Sequence, residues 1–178
     1  MESKAFFERV EKWRSTSMQK ELHLAIELRN EGKHEESNEI LVKLVHAFPE
    51  NAVIHYQCAW SFDVLGEESQ AVPFYVKAIQ LGLSGNELEE AILGLGSSYR
   101  ALGDYEKSKE VFLRGMDLFP NNRALQVFYS MTLYNLKEHH HAMELLLKCL
   151  ADTTIDQEIL NYKKAIHFYS DKLDDSWS

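Results

Sequence analysis

Proline and glycine are scarce in this chain, which has three prolines and eight glycines among 178 residues. Short strands joined by many β-turns would need more of both residues, so the composition favours an all-α fold. No run of about 18 apolar residues occurs, which argues against a membrane-spanning helix. Residues 1–4 show neither the basic start nor the apolar stretch of a signal peptide. We therefore expect a cytoplasmic protein with no membrane span.

Clusters of basic residues are also missing, and the formal net charge is −9. A nucleic-acid-binding surface needs a basic face that displaces counterions from phosphates. Anionic lipid surfaces attract the same kind of basic face. We therefore expect neither nucleic acid nor membrane as a partner, and an acidic surface favours apolar or basic protein partners.

Recognisable catalytic motifs are absent. The chain has no Gly-rich phosphate loop, no His-Glu-x-x-His, no Gly-x-Ser-x-Gly and no Cys-x-x-Cys. Three glutamate pairs, Glu35-Glu36, Glu67-Glu68 and Glu89-Glu90, fall near the starts of predicted helices, where the helix dipole favours negative charge. We therefore expect a protein that is not an enzyme and that holds no cofactor and no metal.

Two other reactive residue types have structural explanations. His139, His140 and His141 open a predicted helix, and successive helical positions do not face one another, so three rings cannot close on one ion. Cys58 and Cys149 fall at predicted core positions. We expect buried reduced thiols rather than a disulfide or a nucleophile.

The chain does contain a long internal repeat. Two sets of positions step through the sequence by 34, 37 and 34 residues. They are Gly32, Gly66, Gly103 and Lys137, and Pro49, Leu83, Pro120 and Thr154. A period near 34 residues is typical of helix-turn-helix solenoids.

Small and bulky residues recur at fixed positions of this register. The small positions hold Ala25, Ala59, Gly96 and Ser130 in the first helix of each predicted pair, and Ser37, Ala71, Ser108 and Ala142 in the second. We expect the two helices to cross closely there, since a large side chain would push them apart. The bulky positions hold Leu28, Phe62, Tyr99 and Leu133, and Leu41, Tyr75, Phe112 and Leu146.

The third repeat is the most literal copy. It reads Ile92, Leu95, Gly96, Tyr99, Ser108, Phe112 and Pro120. This resembles the tetratricopeptide pattern W-x2-L-G-x2-Y, A-x3-F, P, with Ile92 in place of the larger tryptophan. The resemblance covers about residues 18–154. It implies an all-α, right-handed superhelical solenoid of helix-turn-helix repeats with N- and C-terminal capping helices.

The register divides the chain into parts. We predict one domain, 1–178, made of an N-terminal helix at 3–15, repeats at 18–51, 52–85, 89–122 and 123–154, and a C-terminal capping helix at 155–173. The helix pairs are predicted at about 18–31 and 34–47, 52–65 and 68–81, 87–102 and 105–118, and 122–136 and 139–151. The predicted helix caps are Asn51, Asn86 with Glu89, Asp104, Asn121 or Asn122, and Thr154 with Gln157.

Three places depart from the regular repeat. The single step of 37 lies in residues 81–86, which predict either a longer loop or a change of superhelical pitch. Pro73 falls about one turn inside a predicted helix, where it removes one hydrogen bond. Residues 15–17, Ser-Thr-Ser, predict a break between the N-terminal helix and the first repeat.

The two ends carry apolar stripes. Phe6, Val10 and Trp13, together with Phe7, could fill the concave groove, cap the first repeat or pair with a second copy. At the C-terminus, one helix is predicted to bury a single stripe against the last repeat. That stripe is Ile155, Ile159, Tyr162, Ile166, Tyr169 and Leu173.

The resemblance also places a candidate peptide groove. Members of the family contact ligands from fixed positions of the first helices, which here are Leu22, Tyr56, Leu93 and Val127, then Ile26, Trp60, Ser97 and Met131, then Arg29, Asp63, Arg100 and Tyr134. The carboxylate clamp of chaperone-binding members uses Lys and Asn where this chain has Leu22 and Ile26. The resemblance therefore predicts no binding of an acidic C-terminal peptide through that clamp.

The groove chemistry predicts a function class. Aromatic residues and methionine around a few charges suit an apolar peptide or an amphipathic helix, with Tyr56, Trp60, Arg100 and Tyr134 as anchors. We predict a non-enzymatic protein-protein interaction scaffold. The alternative is a self-associating, homodimeric structural protein whose groove is filled by its own N-terminal helix or by a second copy.

Overall fold

The computed structural model describes residues 2–176, with side chains from residue 16 onward. This part of the chain contains helices and no strand. The helices are α1 Glu2–Asn30, α2 His34–Ala47, α3 Ala52–Val64, α4 Glu68–Gln80, α5 Gly85–Ala101, α6 Tyr105–Leu118, α7 Arg123–Asn135, α8 His139–Thr153, α9 Gln157–Asn161 and α10 Lys163–Tyr169. The predicted all-α fold is confirmed, and no described helix is long and apolar enough to cross a membrane.

The chain divides into two compact units, Met1–Ala91 and Ile92–Ser178. In the first unit α1 packs on α2, α2 on α3 and α3 on α4. In the second unit α6 packs on α7, α7 on α8 and α8 on α10. The assignment of 1–178 to one domain with the repeat boundaries given above stays a prediction.

The glycine positions of the register end the first helix of each pair. Gly32, Gly66 and Gly103 adopt φ angles of 81°, 75° and 82°, and Lys137 adopts 67° at the same position. In each case the next residue donates its backbone N–H back to the carbonyl five residues earlier, as Lys33 does to Leu28 at 2.9 Å. This is the Schellman ending of a helix, which requires a left-handed residue.

The eight small positions, where close helix crossing was predicted, are all buried. In two pairs a serine also joins the crossing helices. Ser37 Oγ donates to the Ala25 carbonyl at 2.7 Å, and Ser108 Oγ donates to the Gly96 carbonyl at 2.8 Å. A small side chain at these positions therefore permits the close approach, and a serine adds a hydrogen bond across it.

Helix α1 is longer than predicted. It runs from Glu2 to Asn30 without a break, so the predicted interruption at 15–17 is wrong. Neither proline nor glycine occurs in α1, and Ser and Thr cost a helix only about 0.5 kcal/mol each. Ser17 does not cap a helix here, because its Oγ donates to Glu21 Oε1 at 3.1 Å, one turn further on.

The step of 37 residues does not lengthen a loop. The segments 48–51, 81–84 and 119–122 between successive pairs each hold four residues. The extra residues instead extend α5, which has 17 residues against 13 in α3 and 13 in α7. Since α5 begins at Gly85, the predicted cap Asn86 lies inside the helix, and the pair Glu89-Glu90 lies beyond its first turn.

Two of the predicted helix caps are confirmed by hydrogen bonds. Asn51 Oδ1 accepts from Ile54 N at 3.1 Å, and Asn122 Oδ1 accepts from Leu125 N at 3.0 Å. Asp104 precedes α6, but its carboxylate accepts from Lys107 Nζ at 2.7 Å rather than capping the helix. At α9 the cap is Asp156, not Thr154.

The C-terminal segment forms two short helices instead of one capping helix. The predicted single stripe is wrong, since α9 and α10 break at Tyr162. Ile155 is 95% exposed and Tyr162 is 68% exposed. Ile155 lies outside α9, because the Asp156 side chain accepts from the backbone of Glu158 and Ile159 and caps the helix just after it.

Candidate functional site

The first unit holds Arg29 in a nearly closed environment. Arg29 is 5% exposed. Its Nη2 donates to Gln57 Oε1 at 2.7 Å, and its guanidinium carbon lies 3.7 Å from the centroid of the Trp60 ring. Burial lowers the pKa of Arg29 from its usual value. Arg29 therefore makes both its hydrogen bond and its ring contact with α3, the first helix of the next pair.

Two tyrosines surround this arginine. Tyr56 OH donates to Glu90 Oε2, and Tyr75 OH donates to Asp63 Oδ2 at 2.7 Å. Burial and the neighbouring carboxylates raise the pKa of both tyrosines above its usual range. Both phenols stay protonated and serve as hydrogen-bond donors to carboxylates.

The predicted groove residues of this unit differ in exposure. Tyr56 is 2% exposed and Trp60 is 37% exposed. Leu22, Ile26 and Asp63 are half-buried. Trp60 thus offers surface to a ligand, whereas Tyr56 and Arg29 mainly hold the unit together.

Gln57, Tyr75 and Glu90 complete this network but were not among the predicted site residues. Tyr75 was assigned to the core from its bulky register position, and Glu90 to a helix start. The signal for Gln57 was its place three residues before Trp60 on the same helix, one turn away, where both can meet one guanidinium.

The second unit contains an open cavity of about 380 Å³, which we call the α7–α8 cavity. Its apolar walls are Met131 and Tyr134 from α7 and Met143 and Leu146 from α8. These four side chains are 37–62% exposed. The small residues Ser130 and Ala142 form its floor, where α7 and α8 cross.

Three polar side chains also line the α7–α8 cavity: Arg100, Asn135 and His139. Arg100 Nε and Asn135 Oδ1 are buried atoms without a hydrogen-bond partner among the residues that the structure describes. The His139 ring lies 4.6 Å from the Tyr134 ring, centroid to centroid. The cavity thus combines apolar walls with one unpaired donor and one unpaired acceptor.

The structure brings three of the predicted groove residues, Arg100, Met131 and Tyr134, to this cavity. Leu93, Ser97 and Val127 are half-buried in the same unit and do not line it. Asn135, His139, Met143 and Leu146 were not predicted as site residues. Met143 and Leu146 lie on α8, a second helix that the predicted C-terminal capping helix was expected to cover.

The histidine run makes separate contacts. His140 Nδ1 lies 3.3 Å from Asp174 Oδ2, and His141 Nδ1 lies 3.3 Å from Glu138 Oε2. The described side chains include no group of three His, Cys, Asp or Glu placed to hold a metal. Cys58 and Cys149 are buried free thiols, as predicted. Burial raises the pKa of Cys58 to about 12.

A sequence model of the family described as "Tetratrico peptide repeat" matches residues 52–173 of this chain. No curated protein matches the chain.

Solved structures with the same fold include MamA, PilF and a chain of the Cut9-Hcn1 hetero-tetramer. MamA 41-end from Desulfovibrio magneticus RS-1 is 14% identical, with a TM-score of 0.69 over 86% of this chain and 88% of that one. Pseudomonas aeruginosa PilF is 17% identical, with a TM-score of 0.66 over 93% and 79%. The APC/C hetero-tetramer Cut9-Hcn1 is 18% identical, with a TM-score of 0.69 over 84% and 29%. At these identities the likeness shows the fold alone.

Proposed function

Because the chain belongs to the tetratricopeptide repeat family, whose fold serves as a protein-interaction scaffold, we propose that it binds an apolar peptide or an amphipathic helix of a protein partner in the α7–α8 cavity. The observation that carries this proposal is the set of exposed apolar walls, Met131, Tyr134, Met143 and Leu146, around buried polar atoms that have no hydrogen-bond partner among the described residues. Apolar grooves with a few placed polar groups are typical of sites for amphipathic helices.

Trp60 is the second contact surface of this scaffold. Its ring is 37% exposed and is held in place by Arg29 below it. A rigid aromatic side chain supplies contact area at low entropic cost, as in many binding anchors. The scaffold acts without catalysis and without a cofactor, and we place it in the cytoplasm.

Selection of helical peptides from a displayed library on the immobilised protein tests the proposal. Enriched peptides should show apolar residues at i, i+3 or i+4, and i+7. Leu146→Lys should abolish their binding, since a lysine there charges the apolar wall. The matched control is Leu113→Lys, because Leu113 is exposed on α6 and does not line the cavity.

The proposal is wrong if no peptide is enriched over uncoated support. It is equally wrong if the two lysine variants bind the enriched peptides as well as the unmodified protein does. Circular dichroism melts of both variants establish that the comparison is made between folded proteins.

Self-association is a second candidate function, supported by the apolar side chains that the C-terminal segment exposes. Ile155, Tyr162, Phe168 and Tyr169 are 49–95% exposed. Sedimentation equilibrium over a wide concentration range should then show a dimer that Tyr162→Lys dissociates. A monomer at all concentrations excludes this function.

A further inference from the structure

We infer that the helix bound in the α7–α8 cavity presents one carboxylate side chain to Arg100 and occupies the place of a further first helix of the repeat register. This inference rests on the proposed function and names the chemistry of the partner. Residues at equivalent register positions differ in their burial and in their hydrogen-bond partners, and these differences carry the inference.

Leu146 shows that no helix of the described residues fully covers this part of α8. Leu41, Tyr75 and Phe112 occupy the same register position and are 0–2% exposed, whereas Leu146 is 37% exposed. In the earlier repeats a following first helix packs on the second helix, as α3 does on α2 and α7 on α6. A helix laid on α8 would bury Leu146 in the same way.

The C-terminal segment, as far as residue 176, does not supply that helix. It packs α10 on α8 and still leaves Leu146 and Met143 on the cavity wall. Ile155, which opens the predicted capping stripe, is 95% exposed. α9 has five residues, which is little more than one turn.

Arg100 Nε lacks a hydrogen-bond acceptor among the described residues, and the bound helix would supply one. Arg29 and Arg100 occupy the same register position, and Arg29 donates to Gln57 and lies over Trp60. The positions equivalent to Gln57 and Trp60 beside Arg100 are Phe128 and Met131, whose side chains offer no oxygen acceptor.

A carboxylate is the acceptor that best fits the Nε atom of Arg100. This atom is buried and unpaired within the described part of the chain, as Arg29 Nε also is. The two arginines differ because Gln57 provides an oxygen to Arg29, whereas Phe128 at the equivalent position provides none to Arg100. A charge-assisted hydrogen bond to a guanidinium is about twice as strong as a neutral one, and a carboxylate also neutralises the charge of the arginine. Asn135 Oδ1, the unpaired acceptor of the cavity, can accept a donor such as an amide or hydroxyl group of the same helix.

The charge of the whole chain limits the partner to few acidic residues. At a net charge of −9, a partner with many carboxylates would be repelled from the rest of the surface. A partner helix with a single Asp or Glu in an otherwise apolar face fits the cavity, and the net negative charge of the chain repels it only weakly. This differs from the clamp that binds an acidic C-terminus, which this chain lacks at Leu22 and Ile26.

Peptides enriched in the library selection supply the probe. We expect their consensus to contain one Asp or Glu, and its replacement by Asn or Gln should weaken binding by about 10- to 100-fold in fluorescence anisotropy. Arg100→Gln should cause a similar loss, whereas Arg100→Lys should retain part of the affinity. Arg114→Gln is the matched control, because Arg114 is exposed on α6 outside the cavity.

A charge reversal completes the test. Arg100→Glu should bind the acidic peptide more weakly and the corresponding Lys peptide more tightly than the unmodified protein does. Equal binding of the Glu and Gln peptides would overturn this inference while leaving the proposed function intact. Failure to enrich any peptide would remove both. A dimer that Arg100→Glu dissociates would also overturn it, since the occupant would then be a second copy.

Discussion

The guanidinium carbon of Arg29 lies 3.7 Å from the centroid of the Trp60 ring. Gln57, on the same helix as Trp60, accepts a hydrogen bond from Arg29 Nη2 at 2.7 Å. One turn of α3 thus provides both a π face and an oxygen to a side chain that is 5% exposed. The Nε atom of Arg29 has no hydrogen-bond partner among the described residues. The interactions with Gln57 and Trp60 therefore offset the desolvation cost of the buried guanidinium.

Gln57→Leu should therefore destabilise the protein by about 1.5–3 kcal/mol, because it removes the acceptor of a buried guanidinium and leaves its size nearly unchanged. Urea unfolding followed by circular dichroism measures the loss. Gln80→Leu is the matched control, since Gln80 is exposed on α4. Equal unfolding midpoints for the two variants would contradict the role given to Gln57.

The sequence predicted much of this fold because the repeat register depends on local sterics. The small positions, the glycine helix ends and the Asn51 and Asn122 caps each follow from the residue and its nearest neighbours along the chain. The prediction failed where two local preferences competed. Ser15-Thr16-Ser17 can cap a helix or continue one, and the inserted residues near Gly85 could extend a loop or a helix.

The candidate site was less predictable than the fold. Arg100, Met131 and Tyr134, which the register assigns to first helices, line one cavity. The register could not show that Arg29, at the position of Arg100, would be paired and buried. That difference depends on the side chains of the following helix, Gln57 in one case and Phe128 in the other.

Lys137 occupies a backbone position that suits glycine. Its φ is 67°, while Gly32, Gly66 and Gly103 hold the same position with φ of 75–82°. A residue with a Cβ in the left-handed conformation costs roughly 1–2 kcal/mol of stability. Glycine avoids this cost, but part of the gain is lost because glycine gives the unfolded chain more conformational entropy. Lys137→Gly should therefore stabilise the protein by about 0.5–1 kcal/mol in urea unfolding.

Lys33, which follows the equivalent position Gly32 in the first repeat, provides the control for this substitution. Lys33 has a φ of −89°, which any residue adopts, so Lys33→Gly should lower the unfolding midpoint. If both glycine variants shift the midpoint in the same direction, the left-handed conformation of Lys137 does not limit stability.

Gly96 faces the ring of Phe112 at the close crossing of α5 and α6. A Cβ on Gly96 would lie 2.6 Å from Phe112 Cζ, and Phe112 is fully buried. Gly96→Ala should therefore cost about 1–3 kcal/mol from overpacking, less up to about 1 kcal/mol gained in helix propensity. The first repeat combines Ala25 with Leu41 at the same two positions, so Phe112→Leu should relieve the clash.

The double variant Gly96→Ala/Phe112→Leu should be more stable than the sum of the two single effects by at least about 0.5 kcal/mol. A double-mutant cycle in urea measures this coupling. Additive single effects would show that the ring moves aside without cost.

Cys58 should make the stability of the protein depend on alkaline pH. Burial raises the pKa of its thiol from 9.0 to about 12, so the folded protein keeps the neutral thiol while the unfolded chain ionises it. The stabilisation is complete below pH 9 and is lost as the pH rises from 9 to 12. Between pH 8 and pH 10 the loss from this group is about 1.4 kcal/mol. The free energy of unfolding of Cys58→Ala should therefore fall by about 1.4 kcal/mol less than that of the unmodified protein over this range. Tyr56 and Tyr75 contribute equally to both proteins, so parallel pH curves for the two would show that Cys58 is not the group responsible.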